Sequence, residues 1–140
     1  EMVLKIYQLL NKKPYDHILI KHSLTQYIEE DIAMHAGIPA AIDEYFRFKN
    51  DTVNFIVPDQ NYLINVGRQV AERGDWDGAI IIFQAVISEF PEFWEAYDAL
   101  GDTYIMKGDK IPAIQSFKKS LELNPQNTHA MERLKKLEKK

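Results

Sequence analysis

Apolar positions in this chain recur at helical spacing and in matched sets. Leu63, Val66, Gly67 and Val70 fall on one helical face, and Ala79, Ile80, Phe83, Val86 and Ile87 form a second stripe of the same period. Between them Arg73-Gly74-Asp75 predicts a turn. Glycine suits the left-handed residue that ends a helix, and aspartate can cap the next helix by accepting a backbone N–H. Pro91 stops the second helix. The pattern returns 34 residues later, pairing Gly67 with Gly101, Gly74 with Gly108, Asp75 with Asp109, Ala79 with Ala113, Ile80 with Ile114, Phe83 with Phe117 and Pro91 with Pro125. The second unit carries Tyr97, Leu100, Gly101 and Tyr104 on one helix and Ala113, Ile114, Phe117 and Leu121 on the other, with Pro112 in a first turn where its missing N–H costs little. Small residues at matching positions let two helix axes approach, and the phenylalanines are expected to fill the space between neighbouring hairpins.

A unit of 34 residues with these small, aromatic and proline positions resembles the tetratricopeptide repeat (TPR) family. The two best units are residues 60–93 and 94–127, with Leu63 and Tyr97 where the family has tryptophan and Ser120 where it has alanine. The resemblance implies an all-α, TPR-type right-handed superhelix of stacked helical hairpins. Residues 127–137 read as an amphipathic capping helix, with Asn127 as its cap and Ala130, Leu134 and Leu137 as its apolar stripe. Upstream, residues 23–36 and 38–49 read as a degenerate hairpin broken at Gly37, the first helix opening with the capping box Ser23-Leu24-Thr25-Gln26 and the second carrying Ala41, Ile42, Tyr45 and Phe46. Residues 50–59 read as a longer connection. Residues 1–22 read as a short helix over 2–10 and a linker from a preceding domain, so the expected organisation is 1–22, a hairpin at 23–58 and two repeats plus cap at 59–140, with 23–140 one structural domain.

The order of these segments also resembles the C-terminal tails of bacterial serine hydrolases of the β-lactamase and penicillin-binding-protein type, and of some esterases. It runs from the short helix through Lys13-Pro14-Tyr15, Gly37-Ile38 and Ala41-Ile42-Asp43-Glu44-Tyr45 to Tyr97-Asp98-Ala99-Leu100-Gly101-Asp102-Thr103-Tyr104 and Ser120-Leu121-Glu122-Leu123-Asn124-Pro125-Gln126-Asn127. That resemblance implies an accessory domain whose catalytic part lies outside this chain, in an extracytoplasmic or periplasmic setting; without it a cytoplasmic setting is expected. The sequence itself has neither Ser-x-x-Lys nor Gly-x-Ser-x-Gly. Its opening residue, Glu1, fits a segment cut from a longer protein.

Composition narrows the function. The 140 residues carry a net charge of -4, which argues against a nucleic-acid partner. There is no cysteine, which excludes disulfides, thiolate metal ligands and a thiol nucleophile. The longest apolar run, residues 79–87, falls well short of the ~20 residues of a membrane span. His17 and His22 are poorly spaced for a metal pair, and His35 suits a helix C-terminus. Glu29-Glu30-Asp31 and Asp43-Glu44 read as solvated faces, and Gly74-Asp75-Trp76-Asp77-Gly78 lacks the ligand pattern of a calcium loop. No catalytic, cofactor or metal constellation is read, and the basic end at Lys135, Lys136, Lys139 and Lys140 complements a helix terminus.

What remains is an interaction module. By the family pattern the concave face falls on Asn61, Ile64, Arg68 and Ala71 and on Glu95, Asp98, Asp102 and Ile105. Asp98 and Asp102 are four apart on a helix, and with Glu95 they form an acidic strip beside an apolar edge of Ile105 and Met106. The expected occupant is a basic or mixed apolar peptide, or the parent protein's own catalytic domain. The family's Lys/Asn clamp for a terminal carboxylate is not matched, because Ile64, Asp98 and Asp102 stand there. Self-association through an exposed end of so short an array is a further possibility.

Overall fold

The computed structural model describes residues 22–23, 37–50, 55–56 and 59–139. The helix expected at 2–10, the linker after it and the first helix of the degenerate hairpin at 23–36 lie outside those residues, save His22 and Ser23. In chain order the described elements are β1 (His22–Ser23), α1 (Gly37–Phe48), β2 (Phe55–Ile56), α2 (Gln60–Glu72), α3 (Trp76–Glu89), α4 (Trp94–Lys107), α5 (Lys110–Leu123) and α6 (Thr128–Glu138). The two strands pair in parallel, His22 with Phe55 and Ser23 with Ile56. The connection at 50–59 therefore carries a short strand that apolar periodicity over two residues cannot signal. β1 also straddles the boundary expected between residues 22 and 23, tying His22 to the hairpin unit.

Helix ends follow local chemistry. Asp59 caps α2 by accepting from the Tyr62 N–H at 2.8 Å, Asp75 caps α3 through the Gly78 N–H at 2.9 Å, and Asn127 caps α6 through the Ala130 N–H at 3.2 Å. Gly74 and Gly108 take positive φ, +90° and +92°, at the two matched turns. There the Gly74 N–H donates to the Ala71 carbonyl at 3.0 Å and the Gly108 N–H to that of Ile105 at 3.0 Å.

The helices pack in sequence: α2 on α3, α3 on α4, α4 on α5, α5 on α6, with α2 also touching α4 and α1 resting on α3. The reason for the small residues is direct. A Cβ built on Gly67 would stand 2.5 Å from Phe83 Cε1, and one on Gly101 would stand 2.7 Å from Phe117 Cε1. Each ring thus lies against the glycine of its own hairpin, and each also belongs to a core that extends into the next element. A Cβ on Gly78 would stand 2.2 Å from Ile38 Cδ1, so the same device seats α1 on α3. Lys49 and Glu89 form an ion pair across that contact. Burial there, with the nearby Glu89 carboxylate adding to it, pushes the Tyr45 hydroxyl above the usual tyrosine range.

Phe83, Val86 and Ala79 centre the larger core, which runs from α1 into α4; Ala113, Phe117, Ala130 and Leu134 form a second core under α6, and Tyr104 packs against both. Each core spans more than one element, as expected where a unit cannot bury its apolar face alone.

Candidate binding groove

α2, α4 and α6 expose one face each to a common groove of about 360 Å³. Ala71, Ala99, Ile105 and Met106 give it an apolar floor, with Thr103 beside them; Arg68, Glu72, Asp102 and Arg133 supply charges of both signs. Met106 is exposed while Ile105 is only partly so, because successive residues at the end of α4 turn from the core into the opening.

Of the eight residues expected on the concave face, the groove brings together four: Arg68, Ala71, Asp102 and Ile105. Ile64, at 3% exposure, belongs to the core, since its position on α2 turns it toward the neighbouring helix rather than outward. Asn61 is exposed on the first turn of α2, away from the groove lining. Glu95 is half-buried in the first turn of α4, and its Oε2 has no hydrogen-bond partner among the described residues. Asp98 is 9% exposed and is no free acidic contact. Its Oδ1 accepts from Asn127 Nδ2 at 2.9 Å, and its Oδ2 faces His129 Nδ1 at 2.9 Å.

The acidic strip is therefore answered from within the chain. Asp102 Oδ1 stands 3.0 Å from Arg133 Nε, and Asp102 Oδ2 stands 3.4 Å from His129 Nε2. Asn127 Nδ2 also donates to Ser120 Oγ at 2.9 Å, which gives a reason for serine where the repeat pattern has alanine. Sequence reading missed Glu72, Ala99, Thr103, His129 and Arg133. A signal for the last two was present: Asp98 and Asp102 are four apart on one helix, and His129 and Arg133, the complementary pair, are four apart on another. Burial is the main reason the Asp102 carboxyl lies above the usual carboxylate range; His129 and Arg133 pull it down, Asp98 pushes it up and Arg68 pulls it down.

Asp98 and His129 are disposed like two members of a hydrolytic triad, yet the second ring nitrogen meets Arg133 Nε at 3.2 Å and Asp102, not a hydroxyl. The Thr103 hydroxyl donates to the Ala99 carbonyl at 2.9 Å. Ligand-type atoms of Asp98, Asp102 and His129 lie within 4.8 Å of one another, but the cation beside them is the Arg133 guanidinium, which opposes a second one. The arrangement suits holding charge and helices in place.

Residues 94–127 match the family model of the tetratricopeptide repeat, the same 34 residues as the second unit read from the sequence. Solved structures with this fold include the first TPR of Spaghetti (RPAP3) bound to the HSP90 peptide SRMEEVD, with a TM-score of 0.55, 17% identity, and coverage of 81% of this chain and 86% of that one. YrrB, a TPR protein with an unusual peptide-binding site, gives a TM-score of 0.55 and 20% identity over 80% of this chain and 55% of its own. A tetratricopeptide repeat protein from Parabacteroides merdae gives 0.54 and 22% over 96% of this chain and 51% of its own. The chain thus spans about half the length of the latter two. At these identities the likeness shows the fold, an all-α stack of TPR-like hairpins.

Proposed function

We propose that this chain is a non-catalytic interaction module that takes an extended peptide segment in the groove between α2, α4 and α6. The observation that carries the reading is the groove itself: an apolar floor within a rim bearing both charges. Between the basic and the mixed apolar occupant, the geometry favours the mixed one. Asp98 is spent on hydrogen bonds with Asn127 and His129, and the Arg133 guanidinium stands against Asp102, so less free negative charge is left to draw a basic peptide than the bare strip would offer. The volume lies at the small end of the range of roughly 300–1,000 Å³ typical of binding pockets, room for one or two large side chains. Burying one such side chain supplies about 1.5–3 kcal/mol, so the affinity expected is modest and hangs on that anchor.

Heptapeptides selected on the full chain from a phage-displayed random library test this. Met106→Glu is expected to weaken the selected peptides roughly ten- to a hundredfold, the loss of one apolar anchor. Ile111→Ala, exposed on α5 and away from the groove lining, is expected to leave them unchanged. Equal binding by the Met106 variant would remove the groove from the account.

The alternative, an accessory domain positioned against the catalytic unit of a serine hydrolase, rests on the order of sequence segments alone. In that case the groove would receive a segment of the parent protein. A parent protein labelled by an active-site serine probe would favour it; an unlabelled one would leave a separate partner as the occupant.

A further inference from the structure

The polar contact between α4 and α6 leaves one atom short. Arg133 Nε is 3.0 Å from Asp102 Oδ1, but its single hydrogen is directed to His129 Nε2 at 3.2 Å. The buried Asp102 Oδ1 has no hydrogen bond among the described residues. An arginine Nε–H can only donate, so His129 Nε2 is the acceptor and the ring proton sits on Nδ1. From there it donates to Asp98 Oδ2 at 2.9 Å. In this arrangement the imidazole is neutral and in one tautomer.

A proton added at Nε2 reverses the pairing. Nε2–H can no longer accept from Arg133, and it faces Asp102 Oδ2 at 3.4 Å. The Arg133 Nε–H, released from the ring, has the unsatisfied Oδ1 beside it. Both Asp102 oxygens then accept charge-assisted hydrogen bonds, and the imidazolium spans Asp98 and Asp102. The charged groups around the ring are Asp98 and Asp102 from α4 and Arg133 from its own helix, with Arg68 of α2 close enough to Asp102 to act on its charge. From α5 the ring meets Phe117, edge to face at 6.1 Å.

We propose that His129 is a proton-operated latch: on taking up one proton from solvent at Nε2 it releases the Arg133 Nε–H to Asp102 and so strengthens the polar contact that holds α6 to α4. Histidine is the residue type suited to such a role, because its ring can gain one proton without any other change of chemistry. The sign is fixed by the pairing. Stability gained from the closed latch is present at acid pH and lost as pH rises. Its consequence for binding rests on the groove reading above, because Arg133 lines that groove; the latch itself does not.

Two measurements on the full chain test it without a ligand. Ring nitrogen NMR at about pH 7.5 should show His129 protonated at Nδ1 only, with the Arg133 Nε–H resonance moving once a proton is added at Nε2 on acidification. Hydrogen exchange of amides 130–135, corrected for intrinsic rate, should show protection roughly three- to tenfold greater at about pH 6 than at pH 7.5. His129→Gln should abolish that difference. A proton on Nε2 at the higher pH, protection that does not rise on acidification, or a pH response that survives in the Gln variant would each overturn the latch. The tautomer measurement needs no variant to fold. A selected peptide then separates the two readings: if protection follows the proton while affinity does not, the latch stands and the groove is not the binding site.

Discussion

Gly101 is one of the two matched positions where the repeat geometry demands a glycine. In an ordinary helix Gly→Ala stabilises by about 1 kcal/mol, because glycine loses more backbone freedom on folding. Gly101 lies inside α4 without a positive φ, so that gain is available in principle. Against it, a Cβ there would stand 2.7, 2.8 and 2.9 Å from three atoms of the Phe117 ring. The ring is fully buried at 0% exposure, so it cannot swing into solvent. Overpacking of this kind costs about 1–3 kcal/mol. Because the propensity gain offsets about 1 kcal/mol, the steric term must exceed roughly 2 kcal/mol for a net loss of 1 kcal/mol or more. The expected outcome is a destabilised Gly101→Ala, read from urea melts followed by far-UV circular dichroism. Phe117→Leu supplies the control: alone it leaves a cavity, but combined with Gly101→Ala the methyl enters space the ring has left. The double mutant should lose less than the sum of the two singles, with a coupling on the order of 1 kcal/mol. A Gly101→Ala chain more stable than the native one, or strictly additive losses, would refute close packing of glycine against ring as the basis of the repeat.

Three further outcomes follow from the same contacts. Phe83→Ala empties a fully buried site and should cost ~3–5 kcal/mol in a urea melt, with a loss under about 1 kcal/mol contradicting the packing described. Asn127→Ala removes the α6 cap and leaves Asp98 Oδ1 and Ser120 Oγ without their donor, so a loss of roughly 2–3 kcal/mol is expected by the same assay. Asp102→Asn tests the raised carboxyl: a group that binds its proton more tightly in the folded chain contributes stability in acid and loses it as pH rises through its folded pKa. Thermal melts should therefore show the native chain gaining on Asp102→Asn between about pH 7 and pH 4, and a change in the other direction would contradict burial as the dominant influence.

The matched hairpins were legible because their determinants are local and repeated. Gly67 with Phe83 and Gly101 with Phe117 announce themselves by spacing, and the turns at Gly74 and Gly108 by residue type. The parallel pairing of β1 with β2 was not, since it joins residues 33 apart, His22 and Phe55, through two-residue strands that carry no period. The groove was half legible. Of the positions that the family pattern puts on the concave face, Arg68, Ala71, Asp102 and Ile105 line the groove, but that pattern could not tell that Ile64 turns into the core or that Asp98 is bonded from α6. That second fact depends on how α6 docks, a tertiary relation in which His129 and Arg133 arrive opposite Asp98 and Asp102 from 31 residues away in each case. An acidic strip seen in one helix was an incomplete picture because its counter-charges lie in another.

The central claim is that the face shared by α2, α4 and α6 receives the partner. The most direct measurement is a methyl chemical-shift map of the full chain on adding a library-selected peptide. The account predicts shifts concentrated at Ala71, Ala99, Ile105 and Met106, the apolar groove floor. Shifts clustered at Ile111 and elsewhere on α5, with those four methyl-bearing residues unmoved, would contradict it.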